Sequence, residues 1–121
     1  MSDQLDNKPP ASKQIKSVET AIEYFKKGKM VIIVDDEGRE NEGDIVISTS
    51  DTNAKNINFM AKYGRGLICL AITKDQSKRL GLSLMDRKNE SRFNTAFTES
   101  IEARSGVTTG ISASDRSITI K

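Results

Sequence analysis

The chain has 121 residues, of which 36% are hydrophobic, enough for one domain with a modest core. Its 19 basic and 17 acidic residues leave a net charge of only +2, without a long Lys/Arg block, which argues against a nucleic-acid-binding protein. One cysteine excludes an internal disulfide, and the polar N-terminus and short apolar runs predict a cytoplasmic protein with no membrane span.

The sequence contains no histidine. Histidine is the commonest acid–base residue near neutral pH and the commonest ligand of transition metals. Any catalysis by these residues must therefore use carboxylates, the thiol, Lys, Tyr or Arg, or else the chain is incomplete.

The N-terminal part is predicted to form an arm, a helix and two strands. Residues 1–16 are polar and predict a disordered arm. After Ser17, a favourable N-cap residue, apolar residues recur at helical spacing until Gly28, which predicts an amphipathic helix. The β-branched run Met30–Val34 predicts a buried strand, and Ile45–Ser48 predicts a second one.

Between these strands lies the acidic loop, Asp35–Asp44, with six carboxylates and one guanidinium in ten residues. Anions this close repel one another unless protons, cations or solvent relieve them. Such a loop suits a site that binds a divalent cation and handles protons. A solvated hairpin loop, turning at Gly38 or Gly43, explains the spacing equally well.

The second half is predicted to alternate helices and strands. Thr52 is expected to cap a helix that Gly64 ends. The apolar run Leu67–Ile72 predicts a strand covered on both faces, and Asp75–Leu80 predicts a short helix. After a charged loop, Phe93–Ala103 alternates as a longer strand.

A capping pattern lies near the C-terminal end. Ser112, followed three residues later by Asp115, resembles a capping box with Asp in place of Glu. Because Ser117–Ile120 adds little apolar surface, we expect no complete helix there and a truncated domain. The elements together predict an α/β (α+β) fold over residues 17–121, with a mixed β-sheet covered by helices.

Four segments occur in the order found in a known enzyme family. They are Arg39–Asp44, Tyr63–Leu70, Thr95–Thr98 and Gly106–Arg116. Over about residues 17–121 the chain resembles the N-terminal portion of 3,4-dihydroxy-2-butanone 4-phosphate synthase, a lyase of riboflavin biosynthesis. The resemblance implies a homodimer that uses Mg²⁺ or Mn²⁺ to convert D-ribulose 5-phosphate to 3,4-dihydroxy-2-butanone 4-phosphate and formate.

The resemblance also implies roles for particular residues. Glu40 is expected to ligate the metal together with a histidine that this chain lacks, and Glu42 is expected to act as the acid–base group. In an extended loop, Glu40, Glu42 and Asp44 would project the same way. The implied catalytic residues are Glu42, Glu40 and Cys69; the implied substrate contacts are Arg39, Asp44, Asp35, Thr108 and Thr109; the implied metal ligand is Glu40.

Several alternatives stay open from the sequence. Asp35 could contact a substrate hydroxyl or only its own loop. Thr108 and Thr109, flanked by glycines, could present backbone N–H groups to a phosphate or sugar hydroxyl, or form a plain β-to-α turn. Cys69 could lie close to substrate or be a small buried hydrophobe.

The missing histidines lead us to expect that residues 1–121 alone are inactive. The rival interpretation is a non-catalytic remnant that binds a sugar phosphate or a metal. The sequence does not decide whether the natural chain continues past Lys121 or carries a GTP cyclohydrolase II domain.

Overall fold

The structure, a computed structural model, describes residues 16–85 and 95–121. The chain divides into two units, Met1–Ser48 and Thr49–Lys121. The predicted arm (apart from Lys16), the charged loop before Phe93 and the start of the predicted strand Phe93–Ala103 lie outside the described residues.

The first unit begins with helix α1, Val18–Lys26. The Ser17 hydroxyl oxygen accepts a hydrogen bond from the backbone N–H of Thr20 at 3.3 Å, as a side-chain cap does. Gly28 adopts a left-handed φ of 71° just beyond the helix. The predicted helix and both of its ends are confirmed.

A hairpin follows, made of β1, Val31–Val34, and β2, Gly43–Val46. The strands are antiparallel, with Val31 opposite Val46 and Val34 opposite Gly43. Helix α1 packs against β1. Both predicted strands are confirmed within two residues, but the expected burial is wrong, because Ile32, for example, is 68% exposed. A two-stranded ribbon buries little surface by itself.

The second unit is mainly helical, and its described elements are a 3₁₀ turn (Thr49–Asp51), α2 (Ala54–Phe59), a π turn (Met60–Gly64), α3 (Lys74–Leu80) and α4 (Ala113–Ile120). The predicted α/β (α+β) class is confirmed by these helices and the small antiparallel sheet. No helix in the described ranges is long and apolar enough to cross a bilayer.

The ends of α2 differ from the prediction. Asn53, rather than Thr52, caps the helix by accepting a hydrogen bond from Asn56 N at 3.0 Å. Thr52 is buried instead, and Asn is the stronger N-cap residue. The π turn continues through Gly64, and Arg65 ends it in the left-handed conformation, with φ 58°.

Helix α3 confirms the prediction to within one residue. Thr73 Oγ1 accepts a hydrogen bond from Gln76 N at 3.2 Å, and Gln76 Oε1 accepts one from Thr73 N at 2.8 Å. This reciprocal capping box satisfies two backbone donors that the helix itself cannot.

Two predicted strands are absent from the described residues. Leu67–Ile72 has no regular structure, and Leu67 is 79% exposed. Residues 95–103 form only an isolated antiparallel bridge, between Leu84 and Thr98. An apolar run becomes a strand only when a neighbouring strand takes up its backbone hydrogen bonds, and the described residues pair no strand with Leu67–Ile72.

Helix α4 corrects the expectation that no complete helix would form. It spans eight residues and packs against α2. Ser112 Oγ accepts a hydrogen bond from Asp115 N at 3.0 Å, so the predicted N-cap is present. Thr119 Oγ1 donates to the Asp115 carbonyl at 3.1 Å and accepts from Ala103 N at 3.0 Å. Polar contacts thus hold a helix whose apolar surface is small.

Candidate functional site

Asp35 organises the acidic loop. Its Oδ1 accepts a hydrogen bond from Glu42 N at 2.8 Å, and its Oδ2 accepts one from Glu40 N at 3.0 Å. The backbone N–H of Asp35 also donates to the Glu42 carbonyl at 3.3 Å. The loop is therefore closed across its base by one carboxylate.

These contacts keep Asp35 ionised. The hydrogen bond from Glu42 N is the largest influence and lowers the pKa of Asp35, while partial burial raises it. The N–H of Glu40 and the guanidinium of Arg39 lower it further, and the net pKa lies below its ordinary value.

Arg39 lies between two of the six carboxylates. Its Nη1 contacts Asp35 Oδ2 at 3.1 Å, and its Nη2 contacts Glu40 Oε1 at 3.2 Å. One guanidinium thus relieves part of the repulsion that the sequence implies. Because the Arg39 side chain is 55% exposed, this pairing is screened by solvent.

The loop is not extended, so the expected alternation of its side chains is wrong. Arg39 N donates to the Asp36 carbonyl at 2.9 Å, which closes a turn, and Asn41 adopts a φ of 53°. Asn tolerates this left-handed conformation better than most residues. Asp44 lies outside the turn, in β2 opposite Ile33. The hairpin-loop interpretation is therefore correct for the local form of the segment.

In the second unit, a buried carboxylate holds the turn at Thr108 and Thr109. Asp115 Oδ2 accepts hydrogen bonds from Thr108 N at 3.2 Å, Thr108 Oγ1 at 2.9 Å and Gly110 N at 3.0 Å. Of the two alternatives left open by the sequence, the one in which the turn presents its backbone N–H groups to a ligand does not hold for the amides of Thr108 and Gly110. Thr109 is exposed, and its Oγ1 accepts a long hydrogen bond from Ile111 N at 3.5 Å.

The groups that donate these hydrogen bonds to the Asp115 carboxylate are amides and a hydroxyl, and none of them is a cation. Burial of Asp115 raises its pKa, but the hydrogen bonds from Thr108, Gly110 and Ser112 outweigh burial and leave the pKa below its ordinary value. The sequence pattern indicates Asp115 only as part of a helix cap. The available signal was an acid in the first turn of α4, just after the glycine-flanked threonines.

Gly110 is required by the shape of the turn. Its φ is 79°, and a Cβ at this position would lie 2.9 Å from Glu102 Cβ. Both the positive φ and the close approach disfavour any side chain at this position.

Cys69 lies at the surface of the second unit. Its Sγ contacts the Leu67 carbonyl oxygen at 3.7 Å. Exposure argues against the alternative in which Cys69 is a buried hydrophobe.

Comparison with known proteins identifies the family. The family model described as 3,4-dihydroxy-2-butanone 4-phosphate synthase matches residues 19–121. The chain belongs to this family. It is 50% identical over 107 residues to the synthase of Pseudomonas aeruginosa, covering 88% of this chain and 29% of that protein. It is 54% identical over 104 residues to the synthase of Pseudomonas syringae pv. tomato, covering 86% and 28%. The chain thus spans about three tenths of these relatives' length.

Solved synthase structures share the fold. A two-domain 3,4-dihydroxy-2-butanone 4-phosphate synthase from A. baumannii matches with a TM-score of 0.76 and 48% identity, over 87% of this chain and 31% of that one. Another synthase, solved in complex with two magnesium ions, matches with a TM-score of 0.82 and 34% identity, over 88% and 50%. These relatives are named as enzymes, which favours the synthase interpretation over a non-catalytic remnant.

The acidic loop fits a divalent cation only in part. Glu40 offers a hard carboxylate oxygen of the kind that Mg²⁺ prefers. Within residues 16–85 and 95–121, however, no three His, Cys, Asp or Glu side chains come together as metal ligands. The described residues therefore do not assemble a complete set of metal ligands.

Proposed function

We propose that the protein carrying this chain converts D-ribulose 5-phosphate to 3,4-dihydroxy-2-butanone 4-phosphate and formate, in the cytoplasm, as a step of riboflavin biosynthesis. The match of residues 19–121 to the synthase family carries this proposal. The hydrogen-bonded acidic loop supports it, because it keeps several carboxylates close together on a defined backbone.

The reaction requires enediol formation, loss of water, a skeletal rearrangement and a fragmentation in which water adds back and formate is released. Each step develops negative charge on adjacent oxygens, and a bound Mg²⁺ or Mn²⁺ would stabilise that charge as a Lewis acid. Glu40 would supply one oxygen ligand, and the remaining ligands would come from outside the described residues.

Glu42 is the proposed acid–base group. Both its backbone N–H and its carbonyl are bonded to Asp35, so the exposed carboxylate extends from a defined point of the backbone. Arg39 and Asp44 would contact the substrate, with Asp44 accepting from a hydroxyl. For Asp35, the three hydrogen bonds that it accepts favour a loop contact over a substrate contact.

In the second unit, Thr108 and Thr109 are proposed to contact a phosphate or a sugar hydroxyl. The hydroxyl hydrogen of Thr108 points to Asp115, so toward a ligand this hydroxyl can only accept, which suits a sugar hydroxyl rather than a phosphate oxygen. Cys69 is proposed to lie close to substrate, and its exposure is compatible with that role. A homodimer is proposed on the family resemblance.

The test is formate release from D-ribulose 5-phosphate by the protein that carries this chain, measured with Mg²⁺, with Mn²⁺ and with a chelator. We expect turnover with either metal and its loss on chelation. A folded protein that releases no formate under any of these conditions would refute the proposed function.

A further inference from the structure

We propose that Asp115 is a positioning residue for the turn Thr108–Gly110, holding it in the conformation in which Thr108 and Thr109 meet the substrate. This inference rests on the proposed function for the role of the two threonines. The geometry of the turn itself is independent of that function.

The carboxylate of Asp115 does not make the hydrogen bond that is typical of a capping box. In a capping box, the third residue of the helix reaches back to the backbone N–H of the N-cap residue. Here Asp115 is the third residue of α4, and its Oδ2 instead bonds Thr108 and Gly110, seven and five residues upstream. Ser112 provides the side-chain cap of α4.

The two amides bound by Asp115 flank Thr109. Thr108 N donates at 3.2 Å and Gly110 N at 3.0 Å to the same oxygen atom. Fixing the peptide group before Thr108 and the peptide group after Thr109 restricts the backbone torsions of both threonines, and therefore the directions in which their side chains project.

Asp115 itself is held in place by burial and by hydrogen bonds. Asp115 is only 6% exposed, and its carbonyl accepts a hydrogen bond from Thr119 Oγ1, which also bonds Ala103 N. A buried carboxylate with several N–H and O–H donors is strongly held, because losing those donors would leave a charge without compensation.

The experiment compares Asp115→Asn with a matched control, Asp75→Asn, in the protein that carries this chain. Asp75 is an exposed acid in the first turn of α3, so the control removes the same charge from a similar helix position. For Asp115→Asn we expect KM for D-ribulose 5-phosphate to rise roughly tenfold, as for a lost hydrogen bond to a charged group, with kcat falling less than about threefold. The control should change neither.

Amide hydrogen exchange provides a readout that does not depend on turnover. In the wild type, the Thr108 and Gly110 amides should be protected; in Asp115→Asn they should exchange faster, while amides late in α4 keep their protection. Unprotected Thr108 and Gly110 amides in the wild type would refute the proposal even if the variant failed to fold. An unchanged KM in a folded Asp115→Asn would refute it as well. A wild-type protein that releases no formate would refute the proposed function, but it would leave the role of Asp115 in holding the turn to be decided by hydrogen exchange.

Discussion

The acidic loop and the Thr108–Gly110 turn are both shaped by one aspartate that collects backbone N–H groups, but the two aspartates differ in surroundings. Asp35 is partly exposed and also meets a guanidinium, that of Arg39. Asp115 is buried and is held by amides and hydroxyls. The first region therefore leaves charged side chains accessible to solvent, whereas the second buries its carboxylate within a fixed turn.

The largest difference is expected in catalysis. Glu42→Gln should lower kcat by about 10²- to 10⁴-fold, because an amide cannot transfer the proton. Folding should be unchanged, since Asp35 bonds the backbone of Glu42 and not its side chain. Formate release measures the effect, and Glu37→Gln, an exposed acid of the same loop, is the control. Turnover near the wild-type rate in Glu42→Gln would exclude Glu42 as the acid–base group.

A smaller effect is expected for metal affinity. Glu40→Gln should raise the Mg²⁺ concentration for half-maximal activity by at least about tenfold, an effect typical of losing even an outer-shell partner. A neutral amide is a poorer ligand for a hard cation than a carboxylate. Titration of formate release with Mg²⁺ checks this, and Glu37→Gln again serves as the control. An identical Mg²⁺ requirement in Glu40→Gln and wild type would exclude Glu40 as a ligand.

An added side chain should reduce stability more in the Thr108–Gly110 turn than in the acidic loop. Gly110→Ala should lower the free energy of unfolding by about 1–2 kcal/mol, the cost of placing a side chain in the left-handed region, with further strain from Glu102. The matched change in the acidic loop is Gly38→Ala, where the added Cβ would meet only the Asp36 side chain, at 3.2 Å. Urea unfolding of the two variants measures the difference. Equal losses would contradict the idea that the turn tolerates an added side chain less well than the acidic loop.

The smallest effects concern acid and salt. The pKa values of Asp35 and Asp115 are both lowered in the folded protein, so each contributes stability above the unfolded-state pKa, about 3.9, and this contribution is lost as pH falls through the lower folded value. Asp35→Asn and Asp115→Asn should each flatten the decline in stability below about pH 4.

Salt should separate the two aspartates. The contribution of Asp35 should weaken in high salt, because its partner Arg39 is exposed, whereas that of Asp115 should not. Urea unfolding at pH 7 and at acid pH, in low and high salt, measures both effects. A contribution of Asp115 that salt weakens as much as that of Asp35 would contradict the comparison.

Local patterns predicted α1 and α3 well, and the capping contacts of both helices are short in sequence. Ser17 and Thr73 each bond an amide three residues ahead, so each capping residue lies close in the sequence to the amide that it bonds. The family was also evident from four ordered motifs, because motif residues are read directly from the chain. The roles proposed for Glu40, Glu42, Cys69, Thr108 and Thr109 still rest on that resemblance.

By itself, the sequence determined the family, the fold class, α1, α3 and the placement of a charge-rich loop between two strands. Only the tertiary structure decided that Asp35 and Asp115 close their loops, since the carboxylates reach amides five and seven residues away across a turn. It also decided that Leu67–Ile72 is not a strand in the described structure, because apolar character makes a strand possible but only a paired neighbour makes it form.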